Sequence, residues 1–252
     1  MGVKQNSLAI LLASTALFAN QVLAEVLIVN GGFEVLGANE YDISGWNSAE
    51  MGALGSVLLE NDGLTNASGR NTVGALSGAN YALLDAFTTS NQALSQGFTT
   101  GAVSAATLSF SMFINNQSIN GTQISPAGLD YTVQEANQHV RVDILNSGAN
   151  PFSTATADIA QSFYVGGSNG TSMIGGDVAN PYVNYVFNVS PLFVTGGTYT
   201  LRFASVANEG QMQFGIDNVS LQVTPVPEAD TSAMLLAGLG LIGFIARRRQ
   251  TV

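Results

Sequence analysis

The chain of 252 residues contains no cysteine, one histidine and one tryptophan. The absence of cysteine excludes a disulfide scaffold, a thiolate zinc site and a cysteine nucleophile. A fold without disulfides must be held together by its hydrophobic core. A body of about 200 residues buries enough apolar surface to do so.

Basic residues are scarce as well. Residues 25–226 carry three basic and 15 acidic side chains, and hence a net charge of −12. A body of this charge repels DNA, RNA and anionic lipid, so nucleic-acid binding is excluded. The same acidity suits a soluble exported protein, or one that binds cations or neutral polymers.

The N-terminus has the three parts of a secretory signal peptide. Lys4 precedes a mainly apolar run, Leu8–Ala19, and Val22-Leu23-Ala24 then offers small residues for cleavage after Ala24. A first transmembrane helix is the alternative, but the apolar run is well short of the roughly 20 residues that span a bilayer. We therefore expect signal peptidase to remove residues 1–24 during export.

A second apolar run, residues 231–246, is followed at once by Arg247, Arg248 and Arg249. At 1.5 Å per residue, such a helix reaches about 24 Å in a bilayer core of about 30 Å. The arginines stay in the cytoplasm by the positive-inside rule. We expect a thin transmembrane helix with a basic cytoplasmic tail, residues 247–252, and the body outside. A buried globular helix is the alternative.

The hydrophobic period of the body is two. Residues 139–145 alternate cleanly, with Val140, Val142 and Ile144 on one face, and turns rich in Gly and Asn separate such runs. The pattern predicts half-buried antiparallel strands, and therefore an all-β sandwich or jelly roll over residues 25–223.

Two local features mark the end of this body. Apolar residues occupy even positions from 212 to 216 but odd positions from 219 to 223. This change of phase predicts a bulge at Asp217-Asn218 that aims Asp217 away from the core. The prolines at 225 and 227 predict that residues 224–230 form an extended linker.

The tail resembles the PEP-CTERM sorting signal. Val226-Pro227-Glu228 precedes an apolar helix with Leu-Gly repeats and terminal arginines, although Ala229 stands where a second proline is usual. The resemblance implies recognition of Pro227 and Glu228 by exosortase, a membrane protease-transpeptidase of Gram-negative bacteria that make extracellular polysaccharide. The protein would be anchored in the inner membrane before processing, then displayed on the cell surface or in the matrix.

The body is similar to galactose-binding-like jelly rolls, the fold of many carbohydrate-binding modules. Leu27–Glu34 is similar to their first strand and turn, Gly45-Trp46 to a second landmark, and Phe214–Leu221 to their last strand. This resemblance implies a structural Ca²⁺ held by Glu34 and Asp217 with backbone carbonyls, which are hard oxygen ligands. The alternative is that both carboxylates only accept hydrogen bonds from turn amides.

A sugar-binding face needs aromatic platforms with amides and carboxylates around them. Trp46, Tyr41 and Tyr131 are the candidates, although a lone tryptophan in a sandwich also suits the core. His139 is the histidine that a Ser-His-Asp triad would have to use. No nucleophile-elbow sequence accompanies it, so we expect it on the surface of a strand.

Together these features favour a non-catalytic exported protein that binds or organises exopolysaccharide. A surface glycoside hydrolase or lyase is one alternative, because acidic residues are plentiful although no sequence marks a catalytic pair. A structural or adhesive matrix protein without a sugar site is the other. A buried carboxylate pair in a deep cleft would favour the enzyme, and an exposed aromatic row on a concave face would favour sugar binding.

Overall fold

The computed structural model describes residues 23–39, 42–52, 55–61, 68–168, 178–226, 235–243 and 245. The chain divides into two compact units, and residues 24–226 form the larger one. The described part of this unit contains a short 3₁₀ helix, Ser190–Phe193, and a set of β-strands. The strands are β1 (Glu25–Val26), β2 (Asn47–Gly52), β3 (Gly55–Glu60), β4 (Tyr81–Ala86), β5 (Ser90–Thr100), β6 (Val103–Asn116), β7 (Gln138–Asn146), β8 (Ile159–Gly166), β9 (Val183–Asn188), β10 (Gly197–Ala207) and β11 (Met212–Pro225).

The strands form two antiparallel sheets. The six-stranded sheet has the order β3-β4-β11-β6-β9, with β1 beside β11, and the five-stranded sheet has the order β2-β5-β10-β7-β8. From β4 onward each connection crosses from one sheet to the other, except that β7 and β8 are neighbours in the five-stranded sheet, and this jelly-roll order brings the first and last strands together. Accordingly, Glu25 of β1 pairs with Val223 of β11. The predicted β-sandwich is confirmed.

The main core lies between the sheets and is built from the inward-facing residues of both. The three aliphatic residues of β7 that the alternation predicts are all fully buried there. The ring of Phe203 lies at the centre, with ring-centroid distances of 6.1 Å to Trp46, 5.4 Å to Phe110 and 6.2 Å to Phe214. Burying each such side chain stabilises the fold by about 1.5–3 kcal/mol.

The predicted bulge in β11 is confirmed. The register between β11 and β6 shifts between Asp217 and Ser220, and Asn218 has a φ of 54°. The first turn docks here, because Val219 N donates to Gly31 O at 2.8 Å. A Cβ on Gly31 would lie 1.8 Å from Val219 O, so only glycine permits this approach.

The last strand ends later than the sequence predicts. β11 continues through Thr224 to Pro225, and Val226 N donates to Ala102 O at 2.9 Å. Pro225 is tolerated because it is the final residue of the strand and follows a register irregularity, where its missing N–H removes no regular ladder bond. Residues 224 and 225 therefore belong to the strand and not to the predicted linker, of which residues 227–230 lie outside the described residues.

The prediction of half-buried strands is wrong for the centre of the five-stranded sheet. Leu129 and Tyr131, from the segment between β6 and β7, pack on its outer face against Ala93, Ala204 and Val206. The segment between β7 and β8 covers the neighbouring part of this face. Polar side chains that alternation assigned to the solvent are consequently buried.

The second unit comprises residues 1–23 and 227–252 and is described only in part. Residues 235–243 and 245 are helical. Within the described residues, no helix is both long enough and apolar enough to cross a membrane. Three predicted features lie outside the described residues: residues 1–22 of the signal peptide, the recognised pair Pro227 and Glu228, and the basic tail residues Arg247–Arg249. Cleavage after Ala24 and the anchor over residues 231–246 stay predictions.

Candidate functional site

The two carboxylates singled out for calcium face the same loop. Glu34 follows the first turn, and its Oε1 accepts hydrogen bonds from Ala79 N at 2.9 Å and Asn80 N at 3.0 Å. Its Oε2 accepts a third bond from Asn80 Nδ2 at 3.3 Å. These bonds, led by the one from the Asn80 backbone, lower the pKa of Glu34.

Asp217 approaches that loop from the bulge of β11 and is fully buried. Its Oδ2 accepts hydrogen bonds from Leu76 N at 2.9 Å and Ser77 N at 3.0 Å, and its Oδ1 accepts one from Asn218 N at 2.6 Å. Burial raises the pKa of Asp217, and the charge of Glu34 raises it further. The fold therefore attaches both members of the predicted pair to one short segment, residues 76–80.

The geometry bears on both interpretations of this acidic pair. Glu34 accepts three hydrogen bonds from the loop, and Asp217 accepts two from the loop and one from its own neighbour Asn218, as the turn-amide alternative requires. Glu34 Oε2 and Asp217 Oδ1 each accept one of these hydrogen bonds and so retain a lone pair for a hard cation. Among the described residues no group of three or more His, Asp or Glu side chains is placed to hold a metal. A cation here would need backbone carbonyls as its remaining ligands.

The proposed sugar platforms do not come together. Trp46 is buried in the main core, its ring centroid 5.4 Å from that of Phe33, and its Nε1 donates to Asn30 O at 3.1 Å. Its ring therefore cannot stack on a sugar at the surface, which corrects that hypothesis. Tyr131 is half-buried on the opposite face of the five-stranded sheet, and Tyr41 lies outside the described residues.

Buried charges occupy the covered outer face of the five-stranded sheet. Asp143 and Arg202 are fully buried and form an ion pair, and Arg141 Nη2 lies 3.0 Å from Asp143 Oδ1. Burial acts to raise the pKa of Asp143, but the two arginines outweigh it and the pKa is lowered. Arg202 Nη1 donates to Pro151 O at 2.8 Å and to Ser153 O at 2.6 Å, which ties the segment between β7 and β8 to the sheet.

His139 lies on the same covered face, and its expected surface position is wrong. The imidazole is fully buried, and neither ring nitrogen has a hydrogen-bond partner. Desolvation, with a contribution from the positive charge of Arg141, lowers the pKa of His139 to about 4. A neutral imidazole bonded to neither a hydroxyl nor a carboxylate lacks the arrangement of a Ser-His-Asp triad.

A cleft of ≈ 210 Å³ opens between the two sheets at one edge of the sandwich, and sequence reasoning missed it. We call it the edge cleft. Phe163 of β8 and Phe187 of β9 form its aromatic wall, with ring centroids 5.0 Å apart. Both rings are partly exposed, because β8 and β9 are the outermost of the described strands in their sheets. The described residues that line it are Gln161, Ser162, Phe163, Phe187, Asn188, Val189, Pro191 and Leu192.

The edge cleft combines aromatic rings with neutral polar groups. Gln161 and Asn188 place carboxamides at the aromatic wall, and none of the lining residues is ionisable. Aromatic and apolar walls with a few polar groups are the common features of small-molecule sites. The alternation of Tyr185 and Phe187 along β9 is the sequence signal that could have identified this region.

Comparison with known protein families identifies one match. A PEP-CTERM protein-sorting motif covers residues 225–250, which confirms the resemblance of the tail. This motif marks the chain as an exported protein that is processed at the membrane. No curated protein matches the chain.

Solved structures of similar fold include a CBM61 module in complex with β-1,4-galactotriose, at 14% identity and a TM-score of 0.43, covering 78% of this chain and 97% of that one. The K1 adhesin domain of Lys-gingipain from Porphyromonas gingivalis W83 is similar at 12% identity and a TM-score of 0.43, over 81% and 98% of the two chains. A Stig cyclase from Fischerella sp. TAU is similar at 16% identity and a TM-score of 0.41, over 81% and 100%. Likenesses this distant carry no argument about ligand or activity.

Proposed function

We propose that this protein is a non-catalytic, exported surface protein that binds neutral extracellular polysaccharide through the edge cleft. The observation that carries the proposal is the partly exposed pair Phe163 and Phe187, flanked by the carboxamides of Gln161 and Asn188. Aromatic rings stack on the apolar faces of sugar rings, and carboxamides both donate to and accept from hydroxyl groups.

Charge supports a neutral ligand. The body carries a net charge of −12, which repels an anionic polymer, and the edge cleft has no basic side chain among its lining residues to offset this. A saccharide without acidic groups satisfies both conditions. Pyruvylated or uronic-acid-rich chains would bind more weakly, and increasingly so at low ionic strength.

The enzymatic alternative needs two carboxylates at a cleft. The lining of the edge cleft contains none. Asp143 is committed to Arg141 and Arg202, and Asp217 accepts three amide hydrogen bonds. Neither carboxylate lines the edge cleft, so binding without catalysis is the better account of this site.

The sorting motif supports a location outside the cell for this proposed binding. Signal peptidase would release the N-terminus after Ala24, and exosortase would act on the tail at Pro227 and Glu228 while the C-terminal helix holds the chain in the membrane. The mature sandwich would then organise exopolysaccharide on the cell surface or in the matrix. Ca²⁺ bound by Glu34 and Asp217 would stabilise the loop that both carboxylates contact.

A glycan array probed with the full-length chain tests the proposal, in a detergent that has no sugar headgroup. We expect binding to neutral glycans, and Phe163→Leu should weaken it about tenfold, or ~1.4 kcal/mol. Leucine keeps most of the apolar packing but removes the stacking surface. Phe87→Leu is the matched control, because Phe87 is 40% exposed and does not line the cleft. Equal binding by the two variants would show that the edge cleft is not the site.

A further inference from the structure

A second cleft, of ≈ 360 Å³, opens beside β3, at the edge of the six-stranded sheet opposite β9. Carboxamides from three separate parts of the chain line it: Asn39 follows the first turn, Asn61 follows β3, and Asn80 precedes β4. Leu36 and Leu59 supply its apolar surface. We call this the asparagine cleft.

Strand pairing explains why two of these asparagines converge. Glu60, the last residue of β3, pairs with Tyr81, the first residue of β4. The residues one step beyond this pair, Asn61 and Asn80, therefore emerge side by side at the end of the ladder. Asn80 is also held in place, because its backbone N and its Nδ2 both donate to Glu34.

The chemistry of this lining suits a polyhydroxylated ligand. Carboxamides combine an acceptor oxygen with N–H donors, which suits hydroxyl groups that both donate and accept, and Asn80 Nδ2 has a second N–H besides the one that it donates to Glu34. Leu36 is 63% exposed and presents an apolar surface for the carbon-bound hydrogens of a sugar ring. Among the described residues that line the cleft none is ionisable, so this lining, like that of the edge cleft, favours a neutral ligand.

The two clefts lie on opposite edges of the sandwich. The asparagine cleft adjoins β3, and the edge cleft adjoins β9, at the two ends of the order β3-β4-β11-β6-β9. Four strand spacings separate these edges, which is about 19 Å. The packed core lies between them, so one short saccharide cannot occupy both clefts.

We infer that the asparagine cleft is a second binding site for neutral saccharide, and that one molecule bridges two polysaccharide strands. The inference rests on the proposed function of the edge cleft and specifies how the protein organises a matrix. A domain with a single site binds one polymer strand, whereas a domain with two sites on opposite edges can cross-link two strands. The avidity then depends on the separation of the two sites.

Titration calorimetry measures the number of sites directly. The probes are hexasaccharides of β-1,4-galactan, dextran and xylan, added to the full-length chain in the same sugar-free detergent. We expect two ligands per chain for the wild type. Asn61→Ala combined with Leu36→Ser should leave one, with the remaining affinity unchanged. Gln134→Ala is the control, because Gln134 is an exposed carboxamide that lines neither cleft.

Bridging is tested with beads coated with the same polysaccharides. Wild-type protein should aggregate the beads, and the double variant should bind to single beads without aggregating them. One ligand per chain, weakened by Phe163→Leu and unaffected by Asn61→Ala with Leu36→Ser, would overturn the second site and leave the proposed function standing. Absence of binding by the wild type, to these probes and to the glycan array, would overturn both.

Discussion

Replacing Asp143 with leucine should destabilise the protein more than any other single change on the covered face. Asp143 and Arg202 are both fully buried, and Arg202 also donates to two main-chain carbonyls. Without Asp143, the guanidinium of Arg202 stays buried without a counter-charge. Breaking a buried ion pair in this way costs roughly 3–5 kcal/mol. Arg141 adds less than Arg202 to this cost, because its side chain is 12% exposed and can turn towards water when Asp143 is lost.

The double variant Asp143→Leu with Arg202→Met tests whether charge is the reason. An apolar pair of similar volume removes the unpaired charge. Pro151 O and Ser153 O lose their donor, but both are part-buried, so each loss costs less than the roughly 1–3 kcal/mol of a fully buried acceptor. We therefore expect the cost of the double variant to fall below the sum of the two single costs. Their difference is the coupling energy of the pair.

Urea unfolding provides the assay, followed by fluorescence of Trp46. This residue is the only tryptophan and is buried in the main core, so it reports on loss of the sandwich. Glu25→Gln serves as control, because Glu25 is an exposed carboxylate. A cost below about 1 kcal/mol for Asp143→Leu, the range of exposed ion pairs, would refute the argument. The argument would also be refuted if the double variant lost as much free energy of unfolding as the two single variants together.

Three further outcomes are expected. The pKa of His139 lies near 4 in the folded protein and at 6.5 when unperturbed, so unfolding takes up a proton between these values. Stability should be complete above pH 6.5 and fall by about 3 kcal/mol towards pH 4, and His139→Phe should reduce this fall in urea titrations. Calcium should raise the melting temperature by binding only the folded state, and chelator should lower it. Asp217→Asn should respond to neither, and identical wild-type curves with calcium and with chelator would remove the metal proposal. Intact mass of the surface protein should place its N-terminus at Glu25, and retention of Lys4 would contradict cleavage.

Much of the local structure followed from the sequence, because it depends on neighbouring residues. Period-two alternation identified β7 and the sandwich, and the change of phase in β11 located the bulge at Asp217. The resemblance of the first turn and last strand predicted that Glu34 lies near Asp217, and both carboxylates accept amide hydrogen bonds from residues 76–80. The sorting motif was recognisable because it is one continuous segment.

Only the tertiary structure decided which side chains are exposed to solvent and which are buried. Alternation separates the two faces of a strand, but it cannot show that a segment from elsewhere in the chain covers the outer one. His139 and Asp143 are buried for that reason, and Trp46 is in the core although it borders a turn glycine. The edge cleft joins β8 to β9, which belong to different sheets, so its rings share a wall only once both sheets are packed. Local pattern determined the strands and the tail of this protein, whereas packing between distant segments determined its buried charges and its clefts.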